Sequence, residues 1–259
     1  MRALRGIGVG LIIAFILAPT LIVVAISVGD GAVVQFPPRG LSLRWYQEAL
    51  SRDTFRASAW TSLWLAGAAT MLALPVALAA ALALVRGNFP GRAAVQTLLL
   101  APLFVPGVVI GLSLLVIMPA VGLRAPDLRL VCAHILVVMP FLLRTLVASL
   151  ARADITIEEA ALTLGASRLR IFMQVTLPGL SGALVAGALF AFVISFDNVS
   201  VSLFLASAKT NTLPLAILSY VEFNADPSIA AISTLLIIFA MGAALVLERL
   251  VGLRNALAG

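Results

Sequence analysis

The chain has 259 residues, of which 62% are hydrophobic and only 11% are charged. This composition is too apolar for a soluble globular domain and indicates an integral membrane protein. The net charge of +6 comes almost wholly from arginines spread between apolar runs, which fits membrane topology better than a nucleic-acid surface. Cys132 is the only cysteine, so a disulfide framework or a cysteine-based metal site within the chain is excluded.

Six apolar runs have about the length needed to cross a bilayer, so we expect an all-α integral membrane protein with a single transmembrane domain, residues 1–259. The predicted spans are residues 7–28, 59–85, 93–118, 130–150, 180–205 and 228–247. Six spans place both termini on one side of the membrane. The basic start of the chain, and a modest excess of arginines in the loops on that side, predict that this side is cytoplasmic.

Two of these spans carry features that predict how they pack. In the third, Pro102 and Pro106 predict kinks, and Gly107 and Gly111 form a small-xxx-small pair that would allow close approach of another helix. In the fourth, we expect His134 to form interhelical hydrogen bonds rather than to bind a metal or relay protons.

Residues 151–179, which we call the 151–179 loop, are helical in pattern and rich in charge. Thr156 and Glu159 have the spacing of a capping box, in which each side chain accepts a hydrogen bond from the backbone amide of the other residue. Gly165 should end this helix in a left-handed cap, and Ser167 should cap a second short helix, 168–175, before Pro178 interrupts the chain. Such a helix-turn-helix would form a rigid docking element.

The spacing within this loop resembles the EAA loop of ABC importer permeases. The matching positions are Glu159, Ala160, Ala161, Gly165, Val175, Leu177 and Pro178, with valine at 175 where the family has isoleucine. The resemblance implies a type I importer permease in which Glu159, Ala160, Ala161 and Gly165 couple the membrane domain to an ATPase. The implied partners are a second permease subunit, preferably a different chain, two ATPase subunits, an external substrate-binding protein and the lipid bilayer of a bacterial inner membrane.

Shorter stretches resemble the spermidine/putrescine-type branch of that family, among them Leu43–Tyr46 and Ser195–Asn198. This branch implies a small amine-containing cargo and a translocation path lined by Ser195, Asp197 and Asn198. Asp197 is notable independently of the family, because an acid in an apolar run is costly unless it faces a cavity, a partner or water. The alternative is that Asp197 has a purely structural role. Trp45 would contact the cargo or the binding protein, or anchor the chain at the membrane interface.

Two departures from the polyamine pattern bear on the cargo. Asn198 and Gly107 stand where members of that branch often have acids. A translocation path with fewer carboxylates should bind a polycation more weakly. The alternative cargo is therefore a less cationic solute such as an amino-acid derivative or an aminophosphonate.

The sequence also bears on the source of energy. It has no Gly-x-x-x-x-Gly-Lys-[Ser/Thr] motif, no nucleophile–base pair and no metal-ligand cluster, so we expect neither an enzyme nor a cofactor-binding protein. ATP would be bound by the partner subunit. A self-sufficient secondary transporter or channel is the rival class, and it would need its own coupling-ion site and no docking loop.

Overall fold

The computed structural model describes residues 2–207 and 209–257, and within them the chain is helical apart from loops and one isolated bridge between Gly29 and Leu41. The helices are α1 Arg2–Ser27, α2 Arg44–Ser51, α3 Asp53–Arg86, α4 Arg92–Leu100, α5 Gly107–Ala120, α6 Pro126–Leu150, α7 Ile155–Thr163, α8 Arg168–Ile171, α9 Leu177–Gly179, α10 Ser181–Phe196, α11 Ser202–Leu205, α12 Leu213–Phe223 and α13 Ser228–Leu257. A 3₁₀ turn covers Ala101–Phe104 and a π turn covers Phe172–Thr176.

Four helices in the described part of the chain are individually long and apolar enough to cross a membrane. These are Gly8–Ser27, Asp53–Arg86, Pro126–Leu150 and Ser228–Val246. They correspond to the first, second, fourth and sixth predicted spans. Two bent helix pairs, Arg92–Phe104 with Gly107–Ala120 and Arg168–Gly179 with Ser181–Phe196, bring the count to six only if each pair forms one span. The second pair includes residues 168–179, which were predicted to lie in the loop before the fifth span.

The third predicted span, 93–118, is broken rather than merely kinked. The helical stretch Arg92–Phe104 and α5 meet at an angle of 106°. Pro106 has extended backbone angles (φ −54°, ψ 134°) and stands immediately before α5. A proline has no amide hydrogen to continue a helix, and it restricts the residue before it, so α5 starts anew here.

The fifth predicted span, 180–205, is also shorter than expected, because α10 ends at Phe196. A separate turn, α11, begins at Ser202. The Oδ1 atom of Asn198 accepts a hydrogen bond from the Val201 amide, at 3.0 Å. Asparagine side chains compete in this way with backbone partners and favour turns over continued helix.

The chain divides into two compact units, one of Met1–Ala59 with Leu215–Gly242 and the other of Trp60–Pro214 with Ala243–Gly259. The expectation of a single transmembrane domain therefore stays a prediction. In the first unit, the Phe55 and Tyr220 rings form a T-shaped pair with centroids 5.3 Å apart, and the Arg52 guanidinium lies 4.8 Å from the centroid of the Tyr220 ring. Burial would raise the pKa of Asp226, but hydrogen bonds from Ser228 and Tyr220 hold it below its ordinary value.

The core of the second unit is built around small residues on α3. Ala73, Ala77 and Ala81 are fully buried at a spacing of four residues, which places them on one helix face. They belong to one apolar cluster with the buried leucines of α6, which are Leu142, Leu143, Leu146 and Leu150. Small residues let helix backbones approach closely, so this alanine face permits tight packing in the membrane.

The predicted close approach at Gly107 and Gly111 is confirmed. A Cβ atom added at Gly107 would lie 2.9 Å from the Cβ of Ser200, and one at Gly111 would lie 2.8 Å from the Phe204 ring. At Gly111 the added atom would also meet the backbone at the Ser200 oxygen, at 3.1 Å, and at the Val201 Cα atom, at 3.2 Å. Relieving that contact requires a shift of the backbone between α10 and α11.

We therefore expect Gly111→Ala to destabilise the protein by about 1–3 kcal/mol, the usual cost of overpacking a core. Gly67→Ala is the matched control, because an added Cβ at Gly67 meets nothing within 4 Å. Thermal unfolding of the detergent-purified transporter should show a lower midpoint for Gly111→Ala and an unchanged or higher one for Gly67→Ala. Equal midpoints for the two variants would contradict a close helix contact at Gly111.

Candidate functional sites

The first helix of the 151–179 loop begins two residues earlier than predicted and has a different cap. Asp154, in extended conformation, is the N-cap of α7, and its Oδ1 accepts hydrogen bonds from the Thr156 amide at 2.9 Å and the Thr156 hydroxyl at 2.7 Å. The capping box of Thr156 and Glu159 is therefore wrong. The Thr156 hydroxyl donates to Asp154, so it does not act as the cap acceptor, and the Glu159 side chain is left free of a capping role.

These hydrogen bonds from Thr156 lower the pKa of the Asp154 carboxyl below its ordinary value. A depressed folded-state pKa means that the cap stabilises α7 fully above the unfolded-state pKa. That contribution is lost as the pH falls through the lower, folded-state pKa. The cap is therefore intact at neutral pH.

The turn between the two short helices follows the prediction. Gly165 has a φ of +82°, and its amide donates to the Leu162 oxygen at 2.9 Å while the Ala166 amide donates to the Ala161 oxygen at 3.0 Å. This is the Schellman arrangement, in which a left-handed glycine satisfies the last carbonyls of a helix. Ser167 then caps α8 by accepting a hydrogen bond from the Arg170 amide at 3.3 Å.

The second short helix differs from the expected 168–175. After α8 ends at Ile171, the chain continues through the π turn into α9, and Pro178 lies in the first turn of α9. Proline is tolerated there, because the first-turn amides have no partner within the helix. The helical run Arg168–Gly179 then meets α10 at 64°.

One face of the 151–179 loop is open and partly apolar. Glu159 and Gly165 are exposed, and beside them Leu162, Leu164 and Leu169 are 49%, 88% and 71% exposed. Exposed apolar side chains grouped around a charge are typical of a protein interaction surface. Of the predicted coupling residues, Ala160 is also exposed and Ala161 is half-buried.

The neighbouring glutamate, Glu158, faces the protein instead. Its Oε1 atom lies 3.2 Å from Nη2 of Arg86, at the end of α3, and accepts a hydrogen bond from the Thr176 hydroxyl at 3.1 Å. We call Arg86, Glu158 and Thr176 the Glu158 cluster. The sequence pattern did not predict this cluster. The signal was Arg86, which with Arg92 bounds a short basic turn where a carboxylate could pair.

In the membrane region, His134 forms the expected interhelical hydrogen bonds. It is fully buried, with Nδ1 2.8 Å from Oγ of Ser195 and Nε2 3.1 Å from Oγ of Ser202. The Ser202 hydroxyl donates to the Asn198 carbonyl oxygen at 2.7 Å, so it accepts from Nε2–H of the histidine. The unprotonated Nδ1 then accepts from Ser195. His134 thus ties α6 to both sides of the break between α10 and α11.

Asp197 lies within that break and is exposed. It follows α10 directly, and no hydrogen bond or ion pair of its carboxylate occurs among the described residues. A negative charge is disfavoured at the C-terminal end of a helix, where the macrodipole is also negative. The carboxylate therefore gains nothing from capping α10, which argues against a purely structural role.

The other predicted path residues are placed differently. Ser195 is 2% exposed and bonded to His134, and the Asn198 side chain is engaged with the Val201 amide. Trp45, in the first unit, is 6% exposed because it lies with Ala49 on the buried face of α2. This burial argues against a surface contact of Trp45 with cargo, with a binding protein or with lipid.

Comparison with known proteins places the chain in a family. Residues 73–253 match the family described as the inner membrane component of binding-protein-dependent transport systems. The chain belongs to this family. It is a transmembrane permease subunit of an ABC importer, a multi-pass inner-membrane protein and a transport subunit rather than an enzyme, as the sequence analysis predicted.

Two relatives are similar to this chain in sequence, and one solved structure is similar to it in fold. The permease is 34% identical to the putrescine transport system permease protein PotI of Escherichia coli strain K12, over 86% of this chain and 82% of that protein. It is 34% identical to the spermidine/putrescine transport system permease protein PotC of Haemophilus influenzae, over 84% of both chains. Its fold matches a chain of a bacterial ABC transporter involved in the import of the acidic polysaccharide alginate, with a TM-score of 0.79, 16% identity and coverage of 96% and 95%.

Proposed function

We propose that this permease imports a small, amine-containing, polyamine-like solute and takes its energy from separate ATPase subunits. The observation that carries the choice of cargo is Asp197, an exposed carboxylate at the end of α10 that has no partner among the residues the structure describes. A cationic amine would supply the missing partner through a charge-assisted hydrogen bond. The names of the relatives, which are putrescine and spermidine/putrescine permeases, support the same chemistry.

The proposed coupling element is the open face of the 151–179 loop. Glu159, Ala160, Ala161 and Gly165 would dock into a cleft of the ATPase, with the exposed leucines of the loop completing the contact. In this arrangement Arg92–Phe104 and α5 together form the third span and residues 180–205 form the fifth, giving six spans with both termini in the cytoplasm. A second permease, preferably a different chain, a second ATPase subunit and an external substrate-binding protein would complete the transporter.

A less cationic solute is the second candidate. It is favoured by Asn198, whose side chain holds the turn, and by Gly107, whose close contact with Ser200 leaves no room for an acidic side chain. Asp197 then provides the one carboxylate that we assign to the path, which suits a monoamine or an amino-acid derivative better than a triamine.

Uptake into proteoliposomes tests this function. The assembled transporter should take up radiolabelled putrescine in the presence of ATP and binding protein, and the purified permease by itself should show no ATP hydrolysis. Spermidine and a zwitterionic amine serve as the comparison cargoes. Preferred uptake of the zwitterion would support the second candidate, and uptake of none of the amines would contradict the proposed cargo class.

A further inference from the structure

The Glu158 cluster joins the end of α3 to two parts of the 151–179 loop. Arg86 is the last residue of α3, Glu158 lies in α7, and Thr176 ends the π turn that leads through α9 to α10. The ion pair spans 72 residues and the hydrogen bond spans 18. The other ion pairs among the described side chains, Arg52–Glu48 and Arg56–Asp53, are local contacts three or four residues apart.

The cluster is largely shielded from water. The side chains of Arg86 and Glu158 are 23% and 19% exposed, and Thr176 is 9% exposed. A partly buried ion pair is screened less than a surface pair, and removing one member leaves the other charge without a partner. Its geometry is therefore held more strongly than that of an exposed salt bridge.

Adjacent glutamates have opposite surroundings in α7. Successive residues of an α-helix point about 100° apart, so Glu158 and Glu159 cannot face the same way. Glu158 contacts Arg86 and Thr176, and Glu159 is exposed beside Leu162. One helix turn thus has an inward carboxylate and an outward carboxylate.

The π turn supports a specific role for Thr176. A π turn contains an extra residue relative to an α-helical turn and therefore rotates the residues that follow it, and such turns are frequent at functional sites. This one covers Phe172–Thr176, and its last residue donates to Glu158. The turn is thus placed where it orients the start of the α9–α10 segment toward α7.

From this geometry we propose that the Glu158 cluster is a mechanical link, in which Arg86 and Thr176 are positioning residues that make α3 and the α9–α10 segment move together with α7. The inference rests on the proposed coupling function and deepens it: Glu159 contacts the ATPase, and Glu158 transmits the movement into the membrane. Breaking the link leaves ATP hydrolysis in place but lowers the solute moved per ATP.

Charge exchange in the assembled transporter tests the link. Arg86→Glu and Glu158→Arg should each lower putrescine uptake at least about tenfold, because each leaves a partly buried charge without its partner, with ATP hydrolysis retained. The double exchange should restore most of the uptake. It should also bring the ratio of ATP hydrolysed to putrescine moved back to the wild-type value. A misfolded permease would lower both rates together, so this ratio separates a link from a general structural role. No restoration in a double variant that assembles overturns the proposal.

The alternative explanation for Arg86 is the ordinary preference for basic residues in cytoplasmic turns. Arg92→Glu is the matched control, because it makes the same charge change at an exposed position at the other end of the 86–92 turn. It should change the ratio little. An equal effect of Arg86→Glu and Arg92→Glu overturns the proposal. Should the double exchange fail to assemble, Arg86→Lys must retain the ratio better than Arg86→Gln, and equal ratios overturn the link.

The outcome for Glu159→Lys distinguishes this inference from the proposed function. If that variant abolishes uptake but charge exchange at Arg86 and Glu158 restores nothing, only the link is wrong. If Glu159→Lys transports normally in an assembled complex, the coupling role of the 151–179 loop is itself wrong.

Discussion

Glu159→Lys is expected to abolish uptake by the transporter while the permease still inserts into the membrane. The side chain of Glu159 is exposed and the N-cap of α7 is Asp154, so charge reversal leaves the start of the helix intact. Its effect falls on the surface that we assign to the ATPase. Losing one partner of a charge pair that is buried on docking costs about 2–5 kcal/mol, which is more than tenfold in affinity.

Three measurements check this expectation: uptake, the amount of permease in the membrane, and co-purification of the ATPase subunits. Asp154→Asn is the control, because it removes a charge from the same loop and keeps a good N-cap. It should transport nearly as well as the wild type. Normal uptake by Glu159→Lys, in a complex that contains its ATPases, would show that Glu159 does not couple the two proteins.

Asp197→Asn is expected to weaken the handling of cationic cargo with little effect on assembly. The carboxylate is exposed and has no partner among the described residues, so replacing it with an amide of similar shape breaks no contact within the described chain. A hydrogen bond to a charged group is worth about 1.5–3 kcal/mol, which corresponds to roughly 10- to 100-fold in putrescine uptake at low concentration. Basal ATP hydrolysis should remain.

The companion variant is Asn198→Asp. Its new carboxylate can still accept from the Val201 amide, so the turn should persist. We expect it to favour spermidine over putrescine, since it supplies the second acid that the polyamine pattern has at this position. Uptake of a diamine, a triamine and a zwitterionic amine should be measured for the wild type and both variants. An Asp197→Asn transporter with unchanged uptake of all three would show that Asp197 is structural.

Much of the fold could be predicted because it depends on local properties of the chain. Apolar length predicted the four long helices, whereas the two remaining predicted spans, 93–118 and 180–205, correspond only in part to helix pairs that are bent in the structure. The Gly165 turn and the Ser167 cap were predicted correctly because neighbouring residues decide them: a glycine relieves the positive φ of +82°, and a serine hydroxyl reaches an amide three residues on.

The sequence did not predict the correct structure where two local arrangements were both favourable. Asp154 and Thr156 are both residue types that cap helices well, and in the structure Asp154 is the N-cap of α7. Pro106 predicted an irregularity, but the 106° bend depends on the path of the chain on either side. Likewise, the position of Trp45 in the sequence predicted an aromatic side chain at the membrane interface, whereas in the structure Trp45 lies on the buried face of α2.

By itself, the sequence determined that this is a helical membrane permease with a helix-turn-helix in the 151–179 loop, since hydrophobic length, turn residues and motif spacing are properties of short segments. Tertiary structure alone decided which of two adjacent glutamates faces inward, because Glu158 depends on Arg86, 72 residues away. It also decided that Ser195 is buried against His134 while Asp197 stays exposed. Such choices follow from packing between segments remote in the chain, where a rotation of about 100° per residue separates a buried side chain from an accessible one.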